Sequence, residues 1–308
     1  MKAIKLLLGF TLLLTLATSC YTEVIVEDDF IDAPGLNVGQ VLQAYDLWYV
    51  DINETIGNGE VPFLQRAFTI SFDHTGTVHA NNNIVGIGKT GNGLGIDVGA
   101  YGFGRNTVEI DHDIDGIWVL ELIVRSNNKI ELYDSASNTS YLLRGYQANN
   151  FDYDMVFYNN LQYFLQEYDA WEKSYTSQEG AINDFDEETF LQFFSNGNEN
   201  IFKSSVDSKG TSVHKLVWDY EGLYQVYDVE GDETLKTLTL DYDFLGDDYF
   251  ELYVINDSTI ELYHPSSKTV YEFKGKGYKL FLKSGKNSVS KKRKKTINPV
   301  MKVKRSRK

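Results

Sequence analysis

Three aspartates at alternate positions form the pattern in this chain that is most typical of a metal site. Asp111, Asp113 and Asp115 precede Gly116, a spacing that lets alternate carboxylates converge on Ca²⁺ while the glycine makes the bend. An EF-hand loop would need a bidentate glutamate at its twelfth position, where Leu122 stands. The competing interpretation is an acidic hairpin turn, since Asp and Gly both favour turns for backbone reasons. Calcium is therefore the one candidate cofactor.

A glycine-rich segment contains two strings that resemble phosphate-binding loops. The stretch 86–91 satisfies G-x-G-x-x-G, and Gly88-Lys89-Thr90 matches the end of a P-loop. Both motifs need a helix directly afterwards, and the glycines that follow disfavour one. We therefore expect a flexible loop at the mouth of a β structure, whose candidate ligand-binding residues are Gly86, Gly88, Gly91, Gly93 and Gly95.

The remaining reactive residues do not form a recognisable catalytic set, so the sequence predicts that the chain is not an enzyme. The five histidines show no zinc-ligand spacing, and the single cysteine excludes thiol catalysis. No G-x-S-x-G nucleophile elbow is present. Paired carboxylates cannot be identified in so acidic a chain, because their chemistry depends on a distance that sequence does not give.

Cys20 is the only cysteine, and its position predicts a lipid anchor. It follows a short basic segment with Lys2 and Lys5, an apolar run far too short to span a bilayer, and Thr18-Ser19. Residues 1–19 therefore read as a lipoprotein signal peptide, with Cys20 as the lipidated residue. The alternative is an ordinary secreted protein with a free thiol. The expected location is the cell envelope, at the outer membrane and facing the periplasm or the surface.

Charge divides the chain into an acidic body and a basic tail. Residues 20–284 carry all 44 acidic residues and only 16 basic ones, whereas residues 285–308 carry 11 Lys or Arg and no acid. The body should repel nucleic acid, and we expect no nucleic-acid partner. The tail is predicted to be disordered and able to contact envelope polyanions.

The sequence repeats itself, which predicts two tandem domains. Residues 111–145 align without a gap on 241–275, including Ile130-Glu131-Leu132-Tyr133 against Ile260-Glu261-Leu262-Tyr263. An earlier block, 42–48, matches 165–171. The predicted division is an acidic tether over 20–36, a first β domain over 37–150 and a second over 151–284.

Each copy should begin with a short helix and continue as a β meander. An apolar i, i+3, i+4, i+7 stripe follows Asn37 in the first copy and Asn160 in the second, and both asparagines are candidate N-caps. Alternating segments follow, separated by turns such as 125–128 and 256–258. Such strands close most economically into a small barrel or sandwich, so the expected fold is all-β with two small meander barrels.

A helical turn, a Trp on the first strand (Trp48 and Trp171) and a meander resemble the lipocalin-like domains of Bacteroidota outer-membrane lipoproteins. The lipocalin Gly-x-Trp start is absent, since Asp46 and Asp169 replace that glycine. Similar chains sometimes carry the label nicotinic acid mononucleotide adenylyltransferase. The motifs do not support it, because Thr77 replaces the second His of H-x-G-H and the helices of a parallel α/β fold are missing.

These features predict a lipid-anchored envelope protein that binds without catalysis. Its expected partner is a small apolar or amphipathic ligand in the first barrel, or a partner protein at the glycine-rich mouth. The alternative is a structural or assembly lipoprotein whose barrels are filled by their own aromatic side chains. An enzyme would instead require a cleft with clustered polar groups of perturbed pKa.

Overall fold

Two closed barrels of eight antiparallel strands follow one another in the computed structural model of this protein, so the predicted all-β fold with two tandem meander barrels is confirmed. The structure describes residues 37–57, 61–81, 86, 93–196, 199–279, 293–295 and 298–303. The predicted signal peptide, the lipidation candidate Cys20 and the tether lie outside the described residues.

The first barrel is an uninterrupted meander in which each strand pairs with the next and the last pairs with the first. Its strands are β1 (Leu47–Ile56), β2 (Thr69–Phe72), β3 (Thr77–Asn81), β4 (Ile96–Phe103), β5 (Thr107–His112), β6 (Gly116–Ser126), β7 (Lys129–Asp134) and β8 (Thr139–Tyr146).

The second barrel repeats this topology. Its strands are β9 (Tyr168–Thr176), β10 (Phe190–Asn196), β11 (Glu199–Ser205), β12 (Tyr220–Val229), β13 (Asp232–Tyr242), β14 (Gly246–Asn256), β15 (Thr259–His264) and β16 (Thr269–Tyr278). Pairing of β16 with β9 closes the barrel. A short strand, β17 (Val300–Met301), adds to β12 in parallel.

Short helices precede both barrels, and each is fixed by an equivalent tryptophan. Helix α1 (Val38–Leu42) leads into the first barrel; α2 (Tyr153–Asn159) and α3 (Leu161–Leu165) lead into the second. The indole N–H of Trp48 donates to the Leu42 carbonyl at 2.9 Å, and that of Trp171 donates to the Leu165 carbonyl at 2.8 Å. Each tryptophan therefore ties its helix to the first strand of the barrel that follows.

The two predicted N-caps have different outcomes. The Asn37 side chain accepts a hydrogen bond from the backbone of Gly39 at 2.9 Å, so this cap is confirmed. Asn160 makes no such bond, and its Nδ2 instead donates to the carbonyl of Val156 at 2.8 Å. Asn160 occupies the N-cap position of α3 as predicted, but α2 ends at the residue before it, and the Val156 carbonyl of α2 engages the side chain in place of a capping bond.

Further equivalent contacts confirm the internal duplication. The Tyr45 hydroxyl donates to the carbonyl of Asn127 at 3.0 Å, and the Tyr168 hydroxyl donates to that of Asp257 at 2.7 Å. A Cβ added to Gly145 would lie 2.5 Å from the Tyr45 ring, and one added to Gly275 would lie 2.3 Å from the Tyr168 ring. The repeated glycines are therefore explained by packing: they leave room for these tyrosine rings.

Both barrel interiors are occupied by their own side chains. Large side chains with under 2% exposure include Trp48, Phe63 and Tyr141 in the first copy and Trp171, Phe185, Phe193, Phe202 and Tyr271 in the second. Burial of this much apolar surface, at about 25 cal/mol per Å², is the main source of stability in a fold without disulfides. The same packing leaves the first barrel filled where the sequence analysis placed an apolar ligand.

The two barrels share a continuous core. Leu47, Tyr49 and Phe68 belong to the first barrel, yet they cluster with α2, α3 and the interior of the second. The described residues of both barrels belong to one compact unit. The described part of the chain therefore contains two barrels that are packed together rather than loosely linked.

Part of the C-terminal tail lies against this interface, which differs from the predicted disorder. Arg293 is only 2% exposed, and its Nη1 donates to the carbonyls of Val50 at 2.9 Å and Ala67 at 2.6 Å. Its guanidinium lies 4.2 Å from the centre of the Phe68 ring. Composition predicted disorder because it does not show that two backbone carbonyls and the face of an aromatic ring are positioned to bind the Arg293 guanidinium.

No helix in the described part of the chain is both long enough and apolar enough to cross a membrane.

Candidate functional site

A short plug between the first two strands of the second barrel builds the site with the most unusual chemistry. A 3₁₀ helix, Asp184–Glu187, lies between β9 and β10 and inserts Phe185 into the barrel. Asn183 and Asp186 form a reciprocal capping box at its start. The Tyr271 hydroxyl, from inside the barrel, donates to Asp186 Oδ1 at 2.7 Å. These bonds fix the plug and so fix Glu188, which follows it directly.

Glu188 is a carboxyl group held almost out of water. It is 4% exposed, and burial raises its pKa to about 7. Tyr242 donates its hydroxyl to Glu188 Oε1 at 2.8 Å, and the Ser204 hydroxyl also holds this pKa down, while Asp248 raises it further. Oε2 and the Ser204 hydroxyl are both buried, and within the described residues neither meets a partner with good hydrogen-bond geometry.

Lys173 is a second buried ionisable group beneath the same plug. Its Nζ donates to the carbonyls of Phe185 at 2.8 Å and Asp186 at 3.2 Å, and it lies 4.7 Å from the centre of the Tyr271 ring. Burial lowers its pKa to about 8, against the attraction of the Glu188 and Asp186 carboxylates. With its protons held by carbonyls, Lys173 serves to anchor the plug.

A cleft opens above Glu188. Its volume is about 400 Å³, and its lining residues are Asn183, Asp184, Glu188, Tyr220, Tyr242 and the turn Leu245–Asp248. Repulsion from the Asp241 carboxylate raises the pKa of the exposed Asp247. Asp184, Asp247 and Asp248 make this wall of the cleft acidic. Burial and the Glu188 carboxylate raise the pKa of Tyr242, which stays protonated and can only donate to that carboxylate.

Apolar side chains stand at the edge of this cleft. Leu245, which lines it, is 70% exposed; Phe244, the residue before it, is 96% exposed. Ile182 precedes the lining residue Asn183 and is also 96% exposed. The arrangement combines an acidic floor with apolar groups beside it, and it suits a ligand that has a cationic end and an apolar end.

The same position in the first barrel carries different chemistry. Trp48 pairs with Ile70 across the first two strands of the first barrel, and the equivalent Trp171 pairs with Leu191 in the second. Three residues before each of these partners, Ala67 therefore occupies the position that Glu188 has in the second copy. Arg66 there forms an ion pair with Asp115, and the His112 ring stacks on Phe63 at 5.3 Å between ring centres. This end of the first barrel is therefore closed by an internal ion pair.

The calcium candidates do not converge. Asp111 and Asp113 are exposed, whereas the Asp115 carboxylate turns to Arg66 and lies 3.3 Å from His112 Nδ1. Among the described residues, no group of three His, Cys, Asp or Glu side chains is placed to hold a metal ion. Gly116 has φ 79°, a conformation typical of tight turns, which agrees with the alternative interpretation of this segment as an acidic hairpin turn.

The glycine-rich segment is described only in part, since Gly88 and Gly91 lie outside the described residues. Gly86 and Gly93 are buried. A Cβ on Gly93 would lie 3.1 Å from Leu47 and 3.3 Å from Phe151, and Gly95 has φ 81° beside the backbone of Ala80. The described end of the segment is therefore packed between barrel and linker, where the sequence analysis expected an open mouth.

Glu188, Lys173 and Tyr242 were missed by the sequence analysis. One signal was available in the sequence: a charged residue, Glu188, lies just before an apolar strand in the second copy, whereas the first copy has Ala67 at that position. That difference becomes visible only when the plug of the second copy is aligned with its counterpart in the first, the turn over residues 62–66, through the strands that follow them.

The sequence matches no protein-family model and has no significant match among curated proteins.

Proposed function

We propose that this protein is a noncatalytic binding protein, and that the cleft above Glu188 takes an organic cation attached to an apolar group. The observation that carries the proposal is the Glu188 carboxyl, which is only 4% exposed and belongs to the lining of a cleft. A buried carboxylate is stabilised by a positively charged partner, and an ammonium group supplies both the charge and N–H donors.

Two features favour an organic cation over other ligands. A metal ion would need several converging ligands, and in the described residues Glu188 is not part of such a group. The exposed Leu245 and Phe244 offer apolar contacts next to the acidic floor, which favour an alkyl or aromatic ammonium compound. Because side chains fill the interior of both barrels, we place the ligand at one end of the second barrel.

The test is a titration of the protein with hexylamine and with 1-hexanol, which has a similar chain and no charge, followed by calorimetry. We expect hexylamine to bind at pH 8 and to lose about tenfold in affinity on Glu188→Gln, since that change removes the charge and keeps the shape. Asp113→Asn, in the equivalent turn region of the first barrel, is the matched control and should bind as the native protein does. Equal binding of hexanol, or unchanged binding by Glu188→Gln, would contradict the proposal.

Filled barrels also favour a second candidate, a structural or assembly role. Its specific support is the exposure of Ile182 and Phe244, each 96% exposed. Contact with another chain would bury these two apolar side chains. Sedimentation of the native protein and of Phe244→Ser distinguishes this role. A larger species that dissociates in the variant supports assembly, and a monomer in both does not.

The lipid anchor at Cys20 and the envelope location belong to the same proposal. Their support is the sequence pattern around Cys20.

A further inference from the structure

A second cleft lies between the two barrels, and its chemistry differs from that of the Glu188 cleft. It has a volume of about 540 Å³ and is lined by β1 and β8 of the first barrel, by α2, by β12 and by the C-terminal segment. Clefts between packed domains are preferred positions for ligand sites, since neither domain alone can enclose a ligand there.

The first barrel supplies its wall by strand alternation. Tyr49, Asp51 and Asn53 are alternate residues of β1, and Arg144 and Tyr146 are alternate residues of β8, so all five face outward towards the cleft. Tyr49 pairs with Arg144 across the two strands. The wall therefore presents an aromatic ring, a carboxylate and a guanidinium side by side.

The C-terminal segment supplies an unused hydrogen-bond acceptor. Asn298 is 8% exposed, and its Nδ2 donates to Asp228 Oδ1 at 3.2 Å, which fixes the orientation of the amide. Its Oδ1 is buried and accepts no hydrogen bond from the described residues. A buried carbonyl oxygen without a donor is costly, so the site calls for an N–H or O–H from outside.

Charges in the cleft nearly cancel. Lys236 Nζ donates to Asp228 at 2.7 Å and neutralises it. Asp51 and Arg144 are the other two charged lining residues, and Arg144 also lies 3.6 Å from Glu54, which forms a second ion pair with Lys129. A strongly charged ligand would therefore gain little here. Arg144 and Asn159 can donate to ligand oxygens, while Asp51 and Asn298 Oδ1 can accept from ligand hydroxyls.

We propose that this interdomain cleft binds a neutral polyhydroxylated ligand, a saccharide, with a ligand hydroxyl donating to Asn298 Oδ1. Hydroxyls both donate and accept, which matches the mixed amide, carboxylate and guanidinium groups of the lining. The proposal does not depend on the Glu188 site, which lies at the end of the second barrel and selects charge.

The experiment is binding of the labelled chain, residues 21–308, to an array of immobilised neutral, acidic and amino oligosaccharides. We expect retention on neutral oligosaccharides, with about tenfold weaker binding for Arg144→Met and for Asn298→Ala. Arg144→Met keeps the apolar stem and does not touch the C-terminal segment, so it reports on the site even where Asn298→Ala loosens that segment. Asn150→Ala, an exposed residue outside the cleft, is the matched control.

Three results would overturn the proposal. They are no retention on any neutral oligosaccharide, retention that both cleft variants leave unchanged, and retention on acidic oligosaccharides alone. Because Glu188→Gln leaves this cleft intact, that variant should still bind the array, which separates failure of this site from failure of the amine site.

Discussion

Glu188 shows how one residue in a duplicated fold can acquire chemistry that its counterpart lacks. The first copy places Ala67 at the same point before its second strand, and Ala67 is fully buried. In the second copy the carboxyl replaces that methyl group and meets Tyr242, whereas the first copy has His112 at the Tyr242 position. Burial then raises the Glu188 pKa to about 7, a value that makes its charge depend on pH near neutrality.

Glu188 should make stability fall as the pH rises from about 4.5 to about 7. In this window the unfolded chain releases the proton while the folded chain keeps it, so the free energy of unfolding decreases, by about 3 kcal/mol in all. Glu188→Gln should remove this slope and be more stable than the native protein at pH 8. Urea unfolding at several pH values measures both effects. An unchanged slope in the variant would assign the pH dependence to other groups.

Ligand affinity should respond to the same group in the opposite sense. An ammonium ligand needs the ionised carboxylate, so hexylamine binding should strengthen about tenfold between pH 6 and pH 8, while the amine itself stays charged. The native protein is compared with Glu188→Gln by calorimetry at each pH. A flat profile for the native protein would argue that the amine does not contact Glu188.

At the scale of elements, the two plugs are among the parts of the fold that sequence periodicity did not predict. Each follows the first strand, inserts one phenylalanine and is held by an equivalent tyrosine. Tyr141 accepts from the backbone N–H of Val61 at 2.7 Å, and Tyr271 donates to Asp186. Neither plug has a regular apolar repeat, because its residues face a barrel end rather than one side of a sheet or helix.

The two tyrosines should differ in how much they stabilise the fold. Tyr271→Phe removes the hydrogen bond to the Asp186 carboxylate together with the contact to Asn183, and it should cost about 2 kcal/mol. Tyr141→Phe removes the acceptor of the Val61 N–H, a bond between neutral groups, and should cost about 1 kcal/mol. The two variants are matched controls for each other in thermal or urea unfolding. Equal losses would show that the charge on Asp186 is screened.

At the scale of the whole molecule, the C-terminal segment joins the two barrels. Arg293 bonds carbonyls of the first barrel, while the backbone N–H of Lys294 donates to the Tyr163 hydroxyl of α3 at 2.6 Å. Strand β17 then extends the second barrel beside Asp228. A segment that composition alone assigned to disorder thus contacts both barrels and completes the interdomain cleft.

Removal of the Arg293 side chain should release this segment. Arg293→Ala eliminates two hydrogen bonds to carbonyls and the contact with the Phe68 ring, so limited trypsin digestion should cleave the tail at least about tenfold faster than in the native protein. Lys302→Ala, at a residue whose side chain is 85% exposed, is the control. Equal cleavage rates in the native protein and Arg293→Ala would mean that the segment opens independently of this residue.

The lipid anchor is a prediction about the molecule as a whole in its cell. Replacement of Cys20 by Ser should move the protein from the membrane fraction to the soluble fraction and abolish incorporation of labelled palmitate. Fractionation and labelling of native and variant cells measure both. Unchanged membrane association of the variant would contradict anchoring through this residue.

The sequence by itself determined the all-β fold, the duplication and the hairpins around the turns 125–128 and 256–258. These follow from local patterns: alternation places residues such as Leu120 and Leu122 inside, and repeated turns set the hairpins. The Asn37 cap was predictable for the same reason, since its hydrogen bond spans two residues.

Only the tertiary structure decided which of the many acidic residues are buried, where the tail lies and where clefts open. Glu188 and Tyr242 are 54 residues apart, and Arg293 and Val50 are 243 apart. Such contacts depend on how plugs, helices and barrels pack, and no periodic pattern encodes a single polar contact across that distance. The pKa of Glu188 follows from burial, which is a property of the packed barrel and its plug.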